Sequence, residues 1–145
     1  MPIISEDVLQ QAETQGLSYL LIGGRAIQHY VANRQTTDID LAIDRAEHEK
    51  WRTFLVGIGY LVEGIHKNFW RYTPPQSDEP GLDTLLIDSE TYQRMCHESK
   101  ELGNGIPTIE HLLALKIFAL REDPGLRGFR DLKDIVSLMR TKARS

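Results

Sequence analysis

A chain of 145 residues, 41% hydrophobic and 26% charged, is long enough to bury one core and has the composition of an ordinary globular protein. No apolar run approaches the ~18 residues of a membrane helix, the start Met-Pro-Ile-Ile-Ser-Glu-Asp has no basic leader, and the single Cys96 excludes an intrachain disulfide or a cysteine-rich zinc site. The net charge of −4 argues against a coat for nucleic acid, so the expectation is one domain over 1–145, in a cytoplasm of bacterial type and away from membranes.

Ser5 can cap a first helix, about ten residues long, that Gly16 stops. The apolar run Leu17-Ser-Tyr-Leu-Leu-Ile22 predicts a strand over 18–23, and Gly23-Gly24 then turns the chain into a helix over 24–33. A second strand is expected over 38–43 and an amphipathic helix near 45–56, broken at Gly57-Ile-Gly59. Tyr60–Ile65 and Asn68–Thr73 read as a hairpin around His66-Lys67. The Pro-rich stretch 74–81 is a loop, and Leu82–Ile87 is a further strand. Ser89 can cap a short helix to about His97, and Gly103-Asn104-Gly105 is a turn. Thr108, after Pro107, caps a helix to about Glu122, and a last helix starts near Phe129. The order predicts an α/β core over 1–100 and a C-terminal helical pair over 106–143.

Chemistry concentrates in two places. Residues two apart on a strand share a face, so Asp38 and Asp40 project side by side while Ile39 and Leu41 point the other way. Two carboxylates that close repel one another and are costly to bury unless a cation sits between them. Hard oxygen ligands of high charge suit Mg²⁺, which usually keeps waters and substrate phosphates in its other positions. The Gly23-Gly24 turn offers backbone amides at a helix N-terminus, where phosphate binds readily. Together these features describe a site for a metal-bound nucleoside triphosphate. Arg25 either reaches a phosphate or faces water.

The set Ile22-Gly23-Gly24 followed by Asp38-Ile39-Asp40 resembles the nucleotidyltransferase superfamily that includes DNA polymerase beta. The longer string from Gly23 through Arg34-Gln-Thr36-Thr37-Asp38-Ile39-Asp40-Leu41 is similar to its AbiEii and minimal-nucleotidyltransferase branch. So is the C-terminal pattern Ile106-Pro-Thr-Ile-Glu110, Leu115-Lys116 and Arg130-Asp131-Leu-Lys-Asp134-Ile135. The resemblance covers most of the chain. It implies a mixed sheet flanked by helices and a two-metal site in which Asp83, in Leu82-Asp83-Thr84-Leu85, is the third carboxylate. Asp88 competes, but it lies on the opposite face before Ser89 and reads as a turn residue. Family members often carry Ser where this chain has Gly24, which leaves a cradle of backbone amides. Arg34 either contacts substrate or pairs with an aspartate.

Lys116 falls inside the apolar stripe Ile109, Leu112, Leu113, Ile117 and Leu120, where a lysine must snorkel or meet an anion. That anion is either a nucleotide phosphate or a carboxylate of the last helix, Asp131 or Asp134. The five histidines share no metal spacing, and Cys96 reads as a small buried hydrophobe. The resemblance implies an Mg²⁺-dependent enzyme that moves a nucleoside monophosphate from an NTP to the hydroxyl of a tRNA, a protein or a small molecule. It also implies a toxin–antitoxin or defence setting, with a partner protein of such a pair. The alternatives are a fold-retaining subunit with little activity and a nucleic-acid adaptor; the latter is set against by the acidic balance.

Overall fold

The computed structural model describes residues 5–23, 26, 30, 38–66, 68–76, 79–102, 106–122 and 128–144. Helix α1 (Ser5–Thr14) leads to strand β1 (Leu20–Ile22), and β2 (Ile39–Asp44) runs into a 3₁₀ turn (Arg45–Glu47) and helix α2 (His48–Gly57). The hairpin β3 (Leu61–His66) and β4 (Phe69–Thr73) follows, then β5 (Leu82–Ile87) and helices α3 (Ser89–Leu102), α4 (Ile109–Glu122) and α5 (Gly128–Arg144). Gly23, Ala26 and Tyr30 are helical; the rest of the helix expected over 24–33 lies outside the described residues.

The five strands form one sheet in the order β1-β2-β5-β4-β3. Its centre is the parallel pair β2–β5, and the other pairings are antiparallel. A parallel pair at the centre of a sheet is buried on both faces, so its strands read as nearly continuous apolar runs. β2 and β5 do so, and the alternation sorts their side chains between two cores. Ile39, Leu41, Ile43, Leu82 and Leu86 pack with Val8 and Ala12 of α1 and with Trp51, Phe54 and Leu55 of α2. On the other face, Leu20, Ile22, Ala42 and Ile87 pack with Tyr92 and Met95 of α3, Leu112 of α4 and Leu138 of α5. Asp40 and Asp83 share the alternation phase of Ala42 and Ile87. They therefore lie on the face of the C-terminal helices, at the end where β2 and β5 begin.

Three boundaries differ from expectation. β1 begins at Leu20 rather than at 18, because Ser18 is already engaged: its carbonyl accepts from Trp51 Nε1 at 3.1 Å and its hydroxyl meets Tyr92 Oη at 2.9 Å. Helix α3 runs past His97 to Leu102, burying Ser99 on the way. It is capped by Asp88 rather than Ser89: Asp88 Oδ2 accepts from the Thr91 amide and the Thr91 hydroxyl, both at 3.0 Å. Ser89 instead donates to Asp44 Oδ1 at 2.6 Å, and the same oxygen accepts from the Ala46 amide to open the 3₁₀ turn. Thr108 does cap α4, accepting from the His111 amide at 3.2 Å. Among the described residues no helix is long and apolar enough to cross a membrane.

Candidate active site

Strand register brings the acidic residues together. Asp40 of β2 is the direct neighbour of Asp83 of β5 in the parallel pair, and on its other side it faces Ile22 of β1. Asp38 stands at the entrance to β2, where the Ile39 amide donates to the Gly81 carbonyl at 2.9 Å and holds the two strand starts level. Three carboxylates from two adjacent strands thus sit at one end of one face.

Gly23 explains why the glycine turn and the Asp-x-Asp strand occur together. Its φ is +68°, a left-handed conformation that side chains rarely adopt. A Cβ at position 23 would also lie 2.1 Å from Asp40 Oδ2 and 2.7 Å from Asp40 Cβ. The Asp40 carboxylate occupies the space that a side chain at 23 would need. Glycine at this position is therefore dictated by backbone conformation and by the aspartate packed against it. Gly24, Arg25 and Arg34, the other expected contacts for a nucleotide, lie outside the described residues.

The sequence reading missed Arg71. This residue lies on β4 directly opposite Asp83 in the antiparallel β4–β5 pair. Its Nε donates to Asp83 Oδ1 at 2.9 Å and its Nη2 to Asp83 Oδ2 at 3.0 Å, a two-pronged contact. The same Nη2 is 3.9 Å from Asp38 Oδ2. The Asp83 side chain is 7% exposed and that of Arg71 45% exposed. The hydrogen bonds to Asp83 and its charge, with smaller contributions from Asp38 and Glu63, hold the guanidinium more firmly protonated than usual. One sequence signal was available: Arg71 is the lone charge in the strand Phe-Trp-Arg-Tyr-Thr. Its partner depends on hairpin register, which spacing does not reveal.

Lys116 belongs to a separate polar contact. Its Nζ lies 3.0 Å from Asp134 Oδ2, and the two side chains are 9% and 5% exposed. Of the two readings of Lys116, the geometry is that of a buried pair joining α4 to α5; the side chain of Asp131 is not described. Asp88, the competitor for third carboxylate, is an exposed helix cap whose acidity is increased by the Thr91 amide and hydroxyl. Cys96 is partly buried, and burial raises its thiol pKa, as suits a packing residue more than a nucleophile.

Among the described residues, no group of three or more His, Cys, Asp or Glu side chains is gathered tightly enough to hold a metal ion. Both Asp83 oxygens are turned toward Arg71. The donors available at this end, Asp38, Asp40 and Asp83, are all carboxylates, the chemistry that suits a hard divalent cation such as Mg²⁺.

No protein-family model matches the chain, and no curated protein sequence does. Solved structures do. ANT(2″)-Ia in complex with adenylyl-2″-tobramycin superposes with a TM-score of 0.63 at 18% identity, over 96% of this chain and 95% of that one. The chain has a nucleotidyltransferase fold. A nucleotidyltransferase-like protein from Paracoccidioides brasiliensis is also similar, with a TM-score of 0.49 at 17% identity, over 97% of this chain and 78% of that one.

Proposed function

We propose that this protein is an Mg²⁺-dependent nucleotidyltransferase that moves a nucleoside monophosphate from an NTP to an acceptor hydroxyl. The observation that carries the reading is the register of Asp40 with Asp83 across the parallel β2–β5 pair, with Asp38 two residues before Asp40. Asp38 and Asp40 would hold the ion that travels with the triphosphate, and Asp83 would complete the position of a second. Bound there, such ions would offset the triphosphate charge and lower the pKa of the attacking hydroxyl. The acceptor oxygen would form a bond to the α-phosphorus as the bond to pyrophosphate breaks, the hydroxyl proton passing to solvent. The turn after Ile22 is where the triphosphate would lie against backbone amides.

The acceptor class we favour is a small hydroxylated molecule. Support comes from the ANT(2″)-Ia complex, which holds an adenylylated small molecule and 95% of whose chain is covered. The narrower AbiEii resemblance supports a toxin–antitoxin or defence setting instead, with tRNA or protein as acceptor and a partner protein. A second reading, a fold-retaining subunit with little activity, is favoured by the Arg71 fork on Asp83. One experiment separates these readings. The protein is incubated with Mg²⁺, labelled NTPs and panels of aminoglycosides, tRNAs and candidate proteins. The proposal expects label on one acceptor class, lost in Asp38→Asn and in Asp40→Asn. Absence of transfer to any acceptor, with normal Mg²⁺-NTP binding, would favour the inactive subunit.

A further inference from the structure

Arg71 sits where a cation is needed and has somewhere else to go. Asp83 is a nearly buried carboxylate, and burial of such a group is costly without a counter-charge. Arg71 supplies that charge through both fork nitrogens and extends toward Asp38. Yet nearly half of its own side chain faces solvent. A further carboxylate, Glu63 of β3, precedes Gly64, the residue paired with Arg71 across the hairpin, and adds a weaker pull than Asp83 or Asp38. Glu63 is held on the same hairpin, where its Oε2 accepts from the Thr73 hydroxyl at 2.7 Å.

We propose that Arg71 is a built-in counter-cation that competes with a divalent ion for Asp83. In the metal-free protein the guanidinium satisfies both Asp83 oxygens. When an ion is held by Asp40 and Asp83, the guanidinium leaves Asp83 and moves toward Glu63. Arg71 is then a positioning residue that weakens metal loading at the third carboxylate and protects a buried charge while the site waits. The proposal rests on the metal-binding reading above, and the experiment separates failure of one from failure of the other.

The probe is Mn²⁺ without nucleotide, followed by the resonance of the free ion, with Asp40→Asn as the control for the site. Removing the competing cation in Arg71→Met should tighten Mn²⁺ binding by about tenfold, equivalent to ~1.4 kcal/mol. Arg71→Lys keeps the charge but loses the fork, so it should show a smaller gain. It is also the variant to read if Arg71→Met folds poorly. Both gains should vanish when Asp83→Asn is added. Affinity in Arg71→Met and Arg71→Lys equal to or weaker than the parent, with parent binding still lost in Asp40→Asn, overturns the competition and leaves the metal reading standing. A gain in Arg71→Met with none in Arg71→Lys marks a general charge effect and overturns the fork's role, as does a gain that survives Asp83→Asn. Absence of Mn²⁺ binding in the parent and every Arg71 variant overturns both readings.

Discussion

Asp83 and Asp134 are nearly equally buried carboxylates, with side chains 7% and 5% exposed, and each meets a cation at about the same distance. The cations differ. Lys116, between α4 and α5, is 9% exposed, whereas Arg71, on β4, is 45% exposed. A pair closed on both sides can only hold or break, because neither ion can return to water without parting the helices. A pair open on the cation's side can exchange one cation for another. The same two charge types thus make a structural clamp in the C-terminal helices and an exchangeable contact at the head of the sheet.

The comparison breaks first at the clamp. Lys116→Met removes the cation 3.0 Å from the buried Asp134 carboxylate and is expected to cost about 3–5 kcal/mol, read as a large fall in melting temperature. Adding Asp134→Leu should recover part of the loss. A Lys116→Met protein as stable as the parent would show the clamp to be no clamp.

Gly23→Ala tests the packing beneath the site. The left-handed backbone alone should cost about 1–3 kcal/mol, and the added Cβ must also displace the Asp40 carboxylate. Stability and Mg²⁺-NTP binding should therefore fall together. Loss of stability with binding intact would place Asp40 outside the site.

Arg71→Met should cost less than Lys116→Met, roughly 1–2 kcal/mol, because shortening a side chain that is 45% exposed opens the Asp83 carboxylate to water, which no change at Lys116 does for Asp134. Equal losses at the two pairs, measured by denaturant titration, would erase the distinction between them.

The smallest expected effect is a pH dependence on the opposite face of the sheet, beneath the strand that carries Arg71. Burial lowers the pKa of His48 below its ordinary 6.5, with its ring 4.4 Å from that of Trp70. The unfolded chain therefore takes up this proton before the folded one does. Stability from this group should be constant above pH 6.5 and decline as pH falls below it, and His48→Gln should flatten that part of the profile.

Much of this was legible because it is periodic. Asp38 and Asp40 stand out against Ile39, Leu41 and Ile43, since a strand buried on both faces has little reason to carry two carboxylates. Lys116 stood out in the same way against its helical stripe, and the choice between its two readings was open because helix packing is not written in spacing. What escaped was pairwise. The resemblance already implied that the Asp83 strand lies beside that of Asp38 and Asp40, as the register bears out; that Arg71 would lie across from Asp83 depends on hairpin register, which spacing does not reveal. The shift from Ser89 to Asp88 as helix cap has a local cause: Asp44, at the end of β2, offers the Ser89 hydroxyl another acceptor. Gly23 was legible as a turn residue. That its missing side chain makes room for Asp40 was not.

The most direct test of the acidic site is calorimetric titration of a non-hydrolysable NTP analogue into the parent protein and into Asp40→Asn, each with Mg²⁺ and with chelator. The account predicts binding by the parent that requires Mg²⁺, and none by a folded Asp40→Asn. Binding of equal strength in the two proteins, or binding by the parent that is indifferent to chelator, would contradict it.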